Sequence, residues 1–268
     1  MEKEIIDLEY TPKKGLIDCL CEGVGAFFQN FVPFLKMLLP ILWTLLATCL
    51  LTVAIFGVSL CVLSNNPALI CLSIAFAICS IGVFSYAFWK YLLGIVAVSY
   101  LAKDIFENKE IQEVQQYYSY VEKYSASYIN YWLICALLGI AWASVFVALC
   151  AFVCMPTITI SVRIILGTLF VGFLILSIPF GLGLSFSQLF WAYGDKSKPD
   201  LSIIDAITTS YKKCFKIFVF MCLLNTIVCI IEGVLSVALA PLSVAFALIA
   251  SYFTSFVTTR YYFEVKKD

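Results

Sequence analysis

Three aspartates, Asp195, Asp200 and Asp205, fall within one short polar stretch of an otherwise apolar chain. Paired carboxylates can exchange protons with a substrate, but turn formation and helix capping account for all three, so no catalytic residue is assigned. The chain has no histidine, which removes Ser-His-Asp and Cys-His nucleophile arrangements and the HExxH zinc motif. No GxxxxGK[ST] phosphate loop occurs, and the Gly181-x-Gly183 pair sits in an apolar helix away from any strand. Twelve cysteines lie mostly inside apolar runs without a CxxC, where cysteine acts as a small hydrophobe. Cys61 with Cys71 is the one pair whose placement warrants a disulfide test. No cofactor and no metal site is expected.

Glu232 is the most informative single residue. It is the one acid expected in the half of the molecule far from the lysines, and Arg163 is the one base there. Charges in lipid are costly and are usually paired or functional, so an ion pair between Glu232 and Arg163 is expected. Asn225 precedes Glu232 by seven residues and shares its helical face, predicting a polar stripe toward the bundle interior. The stripe reads either as an interhelical hydrogen bond or as an ion path. Pro179, followed by Gly181 and Gly183, predicts a kink that is either a hinge or an ordinary membrane-helix irregularity.

The elements that position these residues follow from hydropathy. Of 268 residues, 63% are hydrophobic and 13% charged, and the mean hydropathy is +1.00. A soluble domain carries about 25% charged residues; this chain cannot coat itself with polar groups, so lipid must surround it. Six apolar segments, each near the ~20 residues that span a bilayer, are expected at 38–63, 68–89, 130–155, 164–190, 215–237 and 242–259. Turns at 64–67 and 238–241 close the first and last hairpins. The fold class is therefore all-α, a polytopic membrane protein of six transmembrane helices with cytoplasmic amphipathic helices. It forms one domain: an N-terminal segment 1–37, a bundle 38–259 and a tail 260–268. The charged start does not read as a cleavable signal peptide.

Cytoplasmic loops carry the lysine and arginine excess, and 16 of the 17 basic residues fit a model with both termini in the cytoplasm. Arg163 is the exception. Amphipathic helices are expected at 14–34, 104–128 and 201–215, the third opened by a Ser202/Asp205 capping box. Their recurrence before each hairpin, with Asp18, Phe28, Phe31 and Val32 matching Asp205, Phe215, Phe218 and Val219, suggests an internal repeat. The apolar run past Lys90, through Tyr91–Ala102, either extends into the cytoplasm as one helix inside a bundle or bends onto the membrane interface. The bend is the favoured expectation, with Lys90 snorkelling at the cytoplasmic boundary. Tyr117, Tyr118, Tyr120, Tyr124, Tyr128 and Tyr131 with Trp132 suggest an interfacial aromatic belt.

The run Ser187-Gln-Leu-Phe-Trp-Ala-Tyr-Gly-Asp195, then 198–211, then Phe215-Lys-Ile-Phe-Val-Phe220, and the ending from Pro241 to Tyr261-Tyr-Phe263, resemble a bacterial pattern. The chain is similar to six-helix integral membrane proteins of unknown function and to the related membrane domain of glycerophosphoryl diester phosphodiesterases. That resemblance covers roughly 170–268 and implies a bacterial cytoplasmic-membrane module. It transfers no active site, because in the phosphodiesterases the chemistry belongs to a separate soluble domain.

The expected function is a non-enzymatic membrane module that organises lipid or a partner protein. The alternatives are a small transporter or channel built on Asn225 and Glu232, or a lipid-acting enzyme. Expected partners are membrane lipids, with a protein partner or a second copy also open. A nucleic-acid partner is excluded by the balanced charge and the lack of a basic stripe.

Overall fold

The computed structural model describes residues 15–63, 66–155, 159–238 and 240–266, and the side chains of all these except 235–244. The described residues form ten helices and no strand: α1 Leu16–Gln29, α2 Phe31–Met37, α3 Leu39–Leu63, α4 Pro67–Phe106, α5 Val114–Lys123, α6 Ser125–Cys154, α7 Ile160–Tyr193, α8 Pro199–Lys212, α9 Cys214–Ala238 and α10 Ala240–Lys266. Among them, α2 with α3, then α4, α6, α7 and α9 to Val234 are long and apolar enough to cross a membrane. The chain is thus an all-α, multi-pass membrane protein. The sixth expected span, 242–259, falls within α10, whose first side chains lie outside those described. Parts of the expected hairpin turns, at 64–65 and 239, also lie outside the described residues.

Three units of similar form follow one another: a short helix, a one-residue break, a long helix and a returning long helix, the long helix of the first unit being divided into α2 and α3 at Leu38. The breaks fall at Asn30, Tyr124 and Lys213, with φ/ψ of −109°/32°, −107°/19° and −119°/23°. In each, the residue four positions later donates its N–H to the break carbonyl, from Phe34, Tyr128 and Ile217 at 3.3, 3.0 and 3.1 Å. Those three side chains are buried. The break lets an amphipathic helix turn into a spanning one while the backbone ladder continues. The breaks of the first and third units are 183 positions apart, so the offset of 187 read from matching residues is not the offset of the equivalent structural positions.

The returning helices α4, α7 and α10 meet at the lysine-rich end of the molecule, and each carries the short helix of the next unit: α5 on α4, α8 on α7 and, closing the ring, α1 on α10. Close crossing there requires glycine. A Cβ on Gly183 would come within 2.7 Å of the Ile207 Cα, and one on Gly23 within 2.9 Å of Val257 Cγ1.

Several expectations are corrected. No bend separates Tyr91–Ala102 from the second span: α4 is continuous for 40 residues, about 60 Å at ~1.5 Å per residue. Leu93, Val96, Ala97, Val98, Leu101 and Ala102 are buried; a segment apolar on all faces has no polar side to turn to water and so is enclosed. The third amphipathic helix starts at Pro199 with Lys198 as N-cap, placing Ser202 inside the helix rather than at its cap. The second is confined to Val114–Lys123, preceded by a loop in which Asn108 has φ 53°. Residues 260–266, expected as tail, continue α10.

The tyrosines around the start of α6 are a belt only in part: Tyr120 and Trp132 are exposed and Tyr118 and Tyr124 half-buried, but the others turn inward. Tyr117, Tyr128 and Tyr131 are buried, because each hydroxyl finds an acceptor or partner inside. Tyr117 donates to Asp104 Oδ2 at 2.8 Å, Tyr118 to the Met37 carbonyl at 3.1 Å and Tyr128 to the Leu92 carbonyl at 3.3 Å, while Tyr131 meets Ser187 Oγ at 2.8 Å.

Candidate functional site

A groove of about 1580 Å³ opens between α2, α3, α4 and α5, larger than the ~300–1,000 Å³ typical of small-molecule pockets. Its floor is the α3–α4 hairpin. Ala47 and Ala54 are buried and let the helices approach closely. Thr44 Oγ1 ties them by donating to the Pro40 carbonyl at 2.8 Å and to the Ala87 carbonyl at 3.1 Å. The wall is formed by Trp43, Leu46, Leu50, Val53 and Val83, and the mouth by Lys36, Lys90, Glu113 and Glu122. From Trp43 to Val53 the wall runs about 15 Å at ~1.5 Å per residue, one leaflet of a hydrocarbon core about 30 Å thick.

The groove exists because the first unit departs from the other two. α8 packs on both helices of the preceding hairpin, α6 and α7, and α1 packs on both α9 and α10. The shorter α5 rests on α4 and on α2, leaving the flank of α3 uncovered. Lys90, expected to snorkel alone, forms an ion pair with Glu122 of α5. With side chains 32% and 42% exposed, the pair contributes about 0–1 kcal/mol; it positions the mouth more than it stabilises the fold. Lys36 and Glu113 are exposed, and no ion pair among the described residues uses either.

A second polar cluster adjoins it on the lysine-rich face. Lys196 Nζ lies over the rings of Tyr100, Tyr120 and Tyr124 at 5.7, 5.3 and 5.1 Å from their centroids, a three-sided cation–π enclosure. Burial, then the nearby Lys103 charge, lowers the Lys196 pKa. Asp195 beside it accepts from Ser197 Oγ and N at 2.6 and 2.9 Å, and these bonds hold its carboxyl below the usual range. Asp200 occupies the first turn of α8, where a negative charge complements the helix dipole, and Asp205 lies further along the same helix. The three aspartates are accommodated by turn and helix geometry.

The other sequence-derived residues are placed as follows. Arg163 is exposed, and its Nη2 donates to the Met155 carbonyl at 2.9 Å, satisfying the C-terminal end of α6. No hydrogen bond or ion pair joins it to Glu232, which is half-buried in α9. Asn225 is exposed, so the Asn225–Glu232 stripe does not converge on the interior of the chain. Pro179 lies inside α7, which continues through it. Gly183 is the contact point of α8, whereas a Cβ on Gly181 would meet nothing within 4 Å. Cys61 and Cys71 are both thiols.

Sequence reasoning missed the groove mouth and the Glu22–Arg260–Glu264 cluster, in which Arg260 Nε donates to Glu22 Oε2 at 3.0 Å and its Nη1 lies 3.7 Å from Glu264 Oε2. Both join elements far apart in the chain, and no local spacing announces them. No protein-family model, no curated protein and no solved structure matches the chain.

Proposed function

We propose that the protein is a non-enzymatic module of a bacterial cytoplasmic membrane that binds and orders phospholipid in the cytoplasmic leaflet, with both termini in the cytoplasm. The observation that carries this reading is the groove: an apolar wall one leaflet deep, the amphipathic rings of Trp43 and Tyr86 beside it, and charges of both signs at its mouth. Acyl chain would lie against Leu46, Leu50 and Val53, and headgroup phosphate would meet Lys36. The orientation rests on the lysine distribution, and kinship with the six-helix bacterial proteins on the residues that resemble them.

Native mass spectrometry of the detergent-purified chain tests the reading. Retained phospholipid is expected on the wild type, and Val83→Trp, which fills the groove from α4, should strip most of it. Retention undiminished in Val83→Trp would overturn the assignment. Labelling of Lys196 or Lys198 from outside intact cells would overturn the orientation.

A further inference from the structure

Independently of the groove, one exposed residue lies where hydrocarbon cannot satisfy it. Lys216 marks the lysine-rich boundary of α9, and Asn225 lies nine residues beyond it, about 14 Å along the axis at ~1.5 Å per residue. That depth is near the middle of a hydrocarbon core about 30 Å thick. Leu224 and Phe220 on the other face of the helix are fully buried, whereas Asn225 is exposed. Its carboxamide offers two donors and an acceptor, and no hydrogen bond within the described residues uses them.

Lipid tails supply no partner, and polar groups at this depth are met by another helix or by enclosed water. The same face carries Cys222 and Cys229, both exposed, and Thr226, whose hydroxyl is occupied by the Cys222 carbonyl at 2.7 Å. These small side chains leave room for close helix approach. Glu232 lies about 24 Å beyond Lys216 by the same rise, near the far boundary where water reaches its carboxylate, so two copies need not bury it.

We propose that this face of α9 is a self-association surface on which a second copy of the chain docks within the membrane, Asn225 against Asn225. A second copy is the occupant the chemistry favours: a carboxamide is both donor and acceptor, so identical residues complement each other across a two-fold axis.

The test uses the full chain in phosphatidylethanolamine/phosphatidylglycerol vesicles at low protein-to-lipid ratio. Energy transfer between separately labelled copies measures association, and copper-phenanthroline oxidation of the native thiols reports the face. The wild type should associate and cross-link, and Cys222→Ser with Cys229→Ser should abolish the cross-link. Asn225→Leu should weaken association about tenfold, ~1.4 kcal/mol, with an unchanged unfolding midpoint because leucine suits a lipid-facing site. Asn225→Gln should restore most of it. A monomeric wild type, cross-linking that persists without Cys222 and Cys229, or Asn225→Leu associating like the wild type would each overturn the proposal. A monomeric wild type would also mean that a different protein or enclosed water satisfies Asn225.

Discussion

Along α7, Ile175 and Leu176 are 63% and 51% exposed, while Leu189 and Trp191, about four turns further on, are 4% and 0% exposed. The same contrast runs through the molecule. The most apolar stretch of α6 has 0% of its residues buried, and that of α4 only 6%, yet Leu101, Tyr128, Phe256 and Trp191 at the lysine-rich end are enclosed. Lipid tails are as apolar as leucine, so hydrophobicity gives helices no reason to pack against each other inside the bilayer. Where the helices emerge toward water, burial is again favourable, at about 25 cal/mol per Å². The cohesive core therefore lies at the boundary, and the hairpins project from it.

The largest effect should separate these two regions directly. Trp191→Ala is expected to destabilise the detergent-purified chain by about 3–5 kcal/mol, the cost of emptying a packed aromatic site. Leu137→Ala, in the outer part of α6 and 67% exposed, should leave the unfolding midpoint nearly unchanged. Comparable losses at both sites would show that the hairpins are packed together and that the contrast is wrong.

A finer version sits within a single helix. Gly183→Val should cost about 1–3 kcal/mol by overpacking, because its new Cβ would press on the Ile207 backbone. Gly181→Val, two residues away, meets open space and should be close to neutral in the same thermal unfolding assay. Equal effects would mean that Pro179, and not contact with α8, sets the requirement for small residues.

That pair also shows what the sequence could and could not convey. Five of the six expected spans were legible because an unbroken run of ~20 apolar residues matches the thickness of a bilayer and exceeds what a soluble core helix needs. Accordingly α3, α6 and α9 begin or end within a few residues of the expected limits. The Pro179–Gly181–Gly183 cluster stands out in the sequence, yet only the structure separates Gly183, under α8, from Gly181, facing outward. The burial of Tyr91–Ala102 and of Tyr128 and Tyr131 was not legible. Apolar and aromatic residues near a boundary serve equally as lipid-facing belt or as core, and the choice depends on which helices arrive beside them. For the same reason the direction of Asn225 and the separate partner of Arg163 could not be read from helical spacing alone.

Inside the boundary core, hydroxyl bonds should contribute less than ring packing. Thr44→Val keeps the shape but removes the hydroxyl shared with the Pro40 and Ala87 carbonyls. Since Pro40 lies in the same helical register and Ala87 keeps its helical partner, a loss of about 1 kcal/mol is expected. Its site is the groove floor, so lipid retention should fall with it only if hairpin geometry, and not the wall alone, shapes the groove.

The smallest effect concerns pH and again contrasts enclosed with exposed tyrosines. Burial, then the bond it donates to Asp104, pushes the Tyr117 phenol up to about 12, while an unfolded tyrosine ionises near ~10. Because the folded value is the higher one, the folded chain holds this proton where the unfolded chain has released it. The contribution is complete below about pH 10 and is lost as pH rises toward about 12. Tyr117→Phe removes the titrating group together with its bond, so the variant should start less stable at neutral pH and lose less stability between these limits than the wild type. Parallel alkaline unfolding curves for the two proteins would place Tyr117 with the exposed tyrosines and move α5 out of the core.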